Sequence, residues 1–138
     1  MDKAVLLDTS AVFCLVDNEA GADTVERHLR TAEERHSRLM ASFVTLTEVR
    51  YISLQEQGAA AADYLTGLVK SWPVEWIHSD ETICLLAAHY KAKHRLSLAD
   101  AFIAATAKLA DATLVHKDPE FEPLGDEISL APLPYKKK

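Results

Sequence analysis

LSLADAFIAATAKLA, residues 96–110, holds a single carboxylate, Asp100, in a run otherwise made almost wholly of small and apolar side chains. A helix that is apolar nearly all round is a buried helix, and a charge carried into such surroundings is costly unless something compensates it. Upstream, AVLLD (4–8) reads as a short buried strand ending at Asp8, with TSAVFCLVD turning into a helix. Val25, Leu29 and Ala32 keep helical spacing between Ala22 and about Arg38, and LMASFV (39–44) follows as a second strand. Leu46, Val49 and Ile52 open a further helix that stops at Gly58, and Ala59–Trp72 gives another, ended by Pro73. VEWI (74–77) is a third strand, Ser79-Asp80 caps a helix to about Lys93, and Ser97 caps the helix quoted first. TLV (113–115) and EISLA (127–131) supply a fourth strand and a short fifth. Strands separated by helices predict a parallel sheet of four to five strands with right-handed crossovers, an α/β/α three-layer sandwich. In such sheets chemistry gathers beyond the carboxyl ends of the strands.

Size and composition bound the rest. The 138 residues predict one domain, 1–138, with 132–138 as a flexible basic tail. With 49% apolar and 26% charged residues, the composition is that of a globular protein and argues against disorder. No stretch approaches the roughly 20 apolar residues of a membrane span, and the start lacks the apolar run of a signal peptide. Cys14 and Cys84 have no metal-like spacing and read as buried thiols of a cytoplasmic protein. A net charge of −6 means that a nucleic-acid substrate would need a local basic patch or bridging cations.

Four acids occupy places where chemistry is expected, and each taken singly has a simpler reading. Asp8 at the first strand's end also reads as a helix cap. Thr45-x-x-Glu48 and Ser97-x-x-Asp100 both resemble capping boxes. Asp118, in LVHKDPEFE, fits an Asp-Pro turn. Together they describe something else: two acids directly after strands and two opening helices of the same layered arrangement. Four carboxylates converging on one edge repel one another, and a hard cation such as Mg²⁺ or Mn²⁺ removes the conflict.

LLDTSA, the Glu48 of TLTEVR, LSLADAFIAATA and LVHKDPEF, in this order and spacing, resemble the PIN-domain ribonucleases, and most closely the toxin component of VapBC toxin–antitoxin pairs. The resemblance runs from Asp8 to Phe121. It implies a sheet in the order 3-2-1-4-5, with Asp8, Glu48, Asp100 and Asp118 as catalytic, metal-binding acids around Mg²⁺ or Mn²⁺. It further implies RNA cleavage to 5′-phosphate and 3′-hydroxyl products, a homodimer, and a VapB-like antitoxin that places an Arg or Lys among the acids. Ser10 matches the family's small hydroxyl position. His116 departs from it, since many relatives carry Thr or Ser there. As strand residue i to Asp118 at i+2, His116 either faces the phosphate or is held by its neighbours. Arg50, Arg95 and Lys117 lie near the acids in sequence and are candidates for phosphate contacts.

Four other functions fit parts of the pattern. Aspartate-dependent phosphatases want a second Asp where Ser10 stands, and phospho-acceptor domains want an earlier acidic pair that is missing. A catalytically silent protein- or RNA-binding module would not need all four acids. A housekeeping RNA-processing nuclease would.

Overall fold

The computed structural model describes residues 3–136. Its central strand, β1 (Lys3–Leu7), pairs in parallel with β2 (Ser37–Ser42) on one side and with β4 (Thr113–His116) on the other. The short strands β3 (Glu75–Ile77) and β5 (Leu130–Pro132) complete a parallel sheet of order β3-β2-β1-β4-β5. That is the order and the three-layer architecture expected. Strand side chains alternate between faces, so β1 feeds two cores. Val5 and Leu7 join Leu39 and Val115 beneath α1 (Thr9–Val16), α2 (Ala22–Glu33), α3 (Phe43–Gln57) and α4 (Ala59–Lys70). Leu6 joins Met40 and Leu114 beneath α5 (Glu81–Lys93) and α6 (Leu98–Leu109).

Helix α6 is the buried helix that its composition predicts. Ala101, Ala104, Ala105 and Ala107 are buried with Ile103, and side chains this small let the helix lie close to the sheet. A 3₁₀ helix, Pro119–Leu124, follows β4 and buries Phe121 and Leu124 in the same core. Among the described residues no helix is long and apolar enough to cross a membrane.

Several local expectations change. Helix α3 starts at Phe43, capped by Ser42, whose hydroxyl accepts from the Val44 amide at 3.3 Å. Thr45 and Glu48 therefore do not form a capping box, and Glu48 is free for other contacts. Helix α2 ends at Glu33 because Arg35 turns to a φ of 62°, which aims the chain into β2 by Ser37. Cys14 is buried, whereas Cys84 is exposed. The segment expected as a loose tail is packed as far as Lys136. Leu133 is buried and donates its amide to the His116 carbonyl at 2.7 Å, and the Tyr135 hydroxyl donates to Glu122 at 2.8 Å. Lys137 and Lys138 lie outside the described residues.

Gly21 links that segment to the body. It precedes α2 with φ at 103°, and a Cβ there would stand 3.1 Å from Pro134 Cδ and 3.2 Å from Leu133 Cβ. Positive φ strains any other residue, and contact with the 133–134 segment adds to it. Gly21→Ala should cost about 1–3 kcal/mol, read as a lower urea midpoint at unchanged slope. An unaltered midpoint would show that this segment does not pack on the α2 entry.

Candidate active site

The four acids arrive on four different elements. Asp8 follows β1, its amide donating to the Val115 carbonyl at 3.1 Å, and its carboxylate caps α1 by accepting from the Ala11 amide at 2.9 Å. Asp118 stands two residues beyond β4, the strand beside β1, and caps the 3₁₀ helix through the Glu120 amide at 2.9 Å. The chain reverses sheet direction between β1 and β4, which is where a doubly wound sheet opens a crevice. Asp100 lies in the first turn of α6, whose cap is Ser97, accepting from the Asp100 amide at 3.0 Å. Glu48 projects from the second turn of α3. Phe43 at the start of α3 meets Phe102 of α6 edge-on, with ring centroids 5.5 Å apart, and so joins the two helices that bear Glu48 and Asp100.

All four acids line one open cleft of about 490 Å³, with Thr9, Ser10, Phe13, Ile52, Ser97 and Lys117 among its other walls. Asp8 is almost wholly buried, and its carboxyl is pushed up to about 7. Burial is the main cause and outweighs the hydrogen bonds from Ser10 and the Ala11 amide; the charges of Asp100 and Asp118 add to the rise. Asp100 also rises to about 7, through burial first and then repulsion from Asp118 and Glu48. Each acid is thus felt by others across the cleft.

Two hydroxyls hold the acids in place. Ser10 Oγ donates to the Asp8 carboxylate, 2.7 and 2.9 Å from its two oxygens, and accepts from the Lys117 amide at 2.9 Å. It therefore ties the end of β1 to the end of β4. Thr9 Oγ1 donates to Glu48 Oε1 at 2.6 Å and lies 3.0 Å from the Thr45 hydroxyl. Thr9 escaped the sequence reading. The two residues are 39 positions apart, and only its place beside Asp8 hinted at a role.

Four further candidates take the plainer of the places open to them. His116 is buried and does not line the cleft; its Nδ1 accepts from the Asp118 amide at 3.1 Å. Burial lowers its pKa and keeps the ring neutral. Lys117 reaches away from the acids to Glu19 at 3.1 Å and the Ala20 carbonyl at 2.9 Å. Arg50 pairs with Asp63 between α3 and α4, and Arg95 is not part of the cleft wall.

An all-oxygen, mutually repelling donor set suits a hard divalent cation. Among the described residues no three His, Cys, Asp or Glu side chains are grouped closely enough to enclose an ion unaided. The set fits an ion that keeps several of its waters, as magnesium does when one or two carboxylates bind it directly.

Comparisons with known proteins give the family and the fold. The family model described as PIN domain matches residues 5–126. No curated protein sequence matches the chain. Solved structures share the fold at low identity. VapBC2 of Rickettsia felis, bound to a DNA fragment from its promoter, is 17% identical with a TM-score of 0.76, over 95% of this chain and 99% of that one. VapC20 of Mycobacterium tuberculosis, a toxin that cleaves the sarcin–ricin loop, is 20% identical with a TM-score of 0.69, over 88% and 95%. FitAcB of Neisseria gonorrhoeae is 20% identical with a TM-score of 0.68, over 91% and 95%.

The raised acids make stability depend on pH. Between the ordinary carboxyl value of 3.8 and about 7, the folded chain binds more protons at Asp8 and Asp100 than the unfolded chain does, so stability falls as pH rises through that window. In chelator, the melting temperature should drop by several degrees from about pH 5 to about pH 8, and Mn²⁺ should restore much of the loss at the upper end. Asp100→Asn should flatten the profile. A metal-free melting curve that climbs with pH over this range would contradict the assignment.

Proposed function

The chain belongs to the PIN-domain family, and on that premise we propose that it is a divalent-metal-dependent endoribonuclease, the toxin of a toxin–antitoxin pair. What chiefly supports the reading is that Asp8, Glu48, Asp100 and Asp118, from four separate elements, line one cleft, with two of them raised by burial and by the others' charge.

These four acids would hold Mg²⁺ or Mn²⁺, directly or through water. When bound, such an ion makes a water more acidic and offsets the charge that builds on the phosphoryl oxygens and the departing 3′-oxygen. The chain's own residues set the geometry for this. Ser10 fixes the Asp8 carboxylate and Thr9 fixes Glu48, so neither acid has to reorient as charge develops. Phe13 and Ile52 give the cleft apolar walls that limit water around the phosphate. In-line attack at phosphorus, with the 3′-oxygen departing, leaves a 5′-phosphate and a 3′-hydroxyl. An open cleft suits single-stranded or looped RNA better than a duplex.

The proposed partner is an antitoxin protein whose arginine or lysine enters the acid cleft, where a guanidinium would satisfy the carboxylates as a cation does. The likeness to toxin–antitoxin assemblies such as VapBC2 supports this. Tyr51, Leu54 and Tyr64 give α3 and α4 exposed apolar surface, which suits a homodimer contact or the antitoxin.

Asp8→Asn and Asp100→Asn should each lower Mn²⁺-dependent cleavage of RNA by at least about a hundredfold. The fold should survive, because Asn caps a helix about as well as Asp at position 8, and the cap of α6 is Ser97 rather than Asp100. Incubation with a panel of structured RNAs, with and without Mn²⁺, followed by mapping of the cut sites, reads the outcome. Turnover retained in both variants would defeat the proposed site.

A further inference from the structure

We propose that His116 is a positioning residue, holding the backbone of Asp118 so that its carboxylate is presented to the cation; this role rests on the nuclease reading above. Asp118 is fixed at three points. Its amide donates to His116 Nδ1 at 3.1 Å, its Oδ1 accepts from the Glu120 amide at 2.9 Å, and its carbonyl accepts from the Phe121 amide at 3.2 Å. Among the described residues its second carboxylate oxygen has no hydrogen bond, and Asp118 lines the cleft. Of the three restraints, only the contact to Nδ1 comes from a side chain other than that of Asp118.

The imidazole cannot easily leave this position. His116 is fully buried, its ring lies 5.2 Å from that of Phe121 and 6.1 Å from that of Tyr135, and its carbonyl accepts from the Leu133 amide at 2.7 Å. With Nδ1 accepting, the ring proton sits on Nε2, a buried atom without a partner among the described residues. An aliphatic side chain would fill the space without an orphaned N–H. What the imidazole adds is the acceptor at Nδ1, an outer contact of the kind that orients ligands.

Two substitutions separate this role from packing. His116→Leu keeps much of the volume and removes the acceptor. His116→Asn keeps an acceptor near the place of Nδ1 and gives up volume. If the role is positioning, Asn should bind Mn²⁺ within about threefold of the wild type, and Leu should bind it about tenfold or more weakly, although Leu is the better core residue. Cleavage should follow the same order. Leu binding Mn²⁺ as the wild type does, or Asn binding as poorly as Leu, would overturn the role. Nitrogen NMR of the wild-type ring needs no variant to fold. The Nε2–H tautomer with a slowly exchanging Asp118 amide is expected, and an Nδ1–H tautomer or a freely exchanging amide would overturn the proposal. A wild type that binds no Mn²⁺ defeats the metal reading of the cleft and this role with it. A wild type that binds Mn²⁺ alongside an unimpaired His116→Leu defeats the role alone.

Discussion

The constraint on which the structure turns is the burial of one carboxylate, Asp8, at the end of the central strand, within range of other acids. Two features make this tolerable before any cation arrives. Asp8, Asp100 and Asp118 all stand at helix N-termini, where exposed amides and the partial positive charge of the helix offset negative charge. Ser10 adds a donor to the most buried of them. The same helix ends work against a cation, so a site for one would need several acids together. On the proposed reading, the site is a balance between holding carboxylates in the metal-free fold and leaving them unsatisfied enough to bind a metal.

Much of this was legible in the chain because the decisive signals are local. The apolar run of α6 declared a buried helix, and the alternation of short strands with helices declared a parallel sheet. The sheet order came only with the family resemblance, since periodicity does not say which strands are neighbours. Where the reading missed, a local pattern imitated a different local structure. Thr45-x-x-Glu48 has the spacing of a capping box, yet Ser42 three residues earlier takes that position and leaves Glu48 to Thr9. The partners of Thr9 and Lys117 are set by tertiary contact, which no single-chain pattern encodes. The basic end of the chain looked unstructured by composition, while Leu133 and Tyr135 within it have specific places in the fold.

The distribution of cations is equally informative. Among the described residues, Lys117 and Lys136 are the two basic ones in the cleft wall, and both reach Glu19, at 3.1 and 3.0 Å. The Lys117 ammonium is buried in that contact, so removing Glu19 would leave a charge without its partner in a place water scarcely reaches. Lys136 is largely exposed, and its pair contributes little to stability. With both cations engaged and a net charge of −6, attraction of a polyanion to the cleft would, on the proposed reading, fall to a bound divalent ion. Binding and chemistry would then draw on the same charge.

The margins of the sheet have a consequence of their own. β3 and β5 contain three residues each, and β5 closes on Pro132, which has no amide hydrogen to offer. Borders this brief give an incoming chain almost no ladder to extend. Self-association by strand addition is therefore disfavoured at both edges. Contact with another polypeptide is then left to matching side chains, on the helices or around the cleft, instead of to a continued backbone hydrogen-bond network.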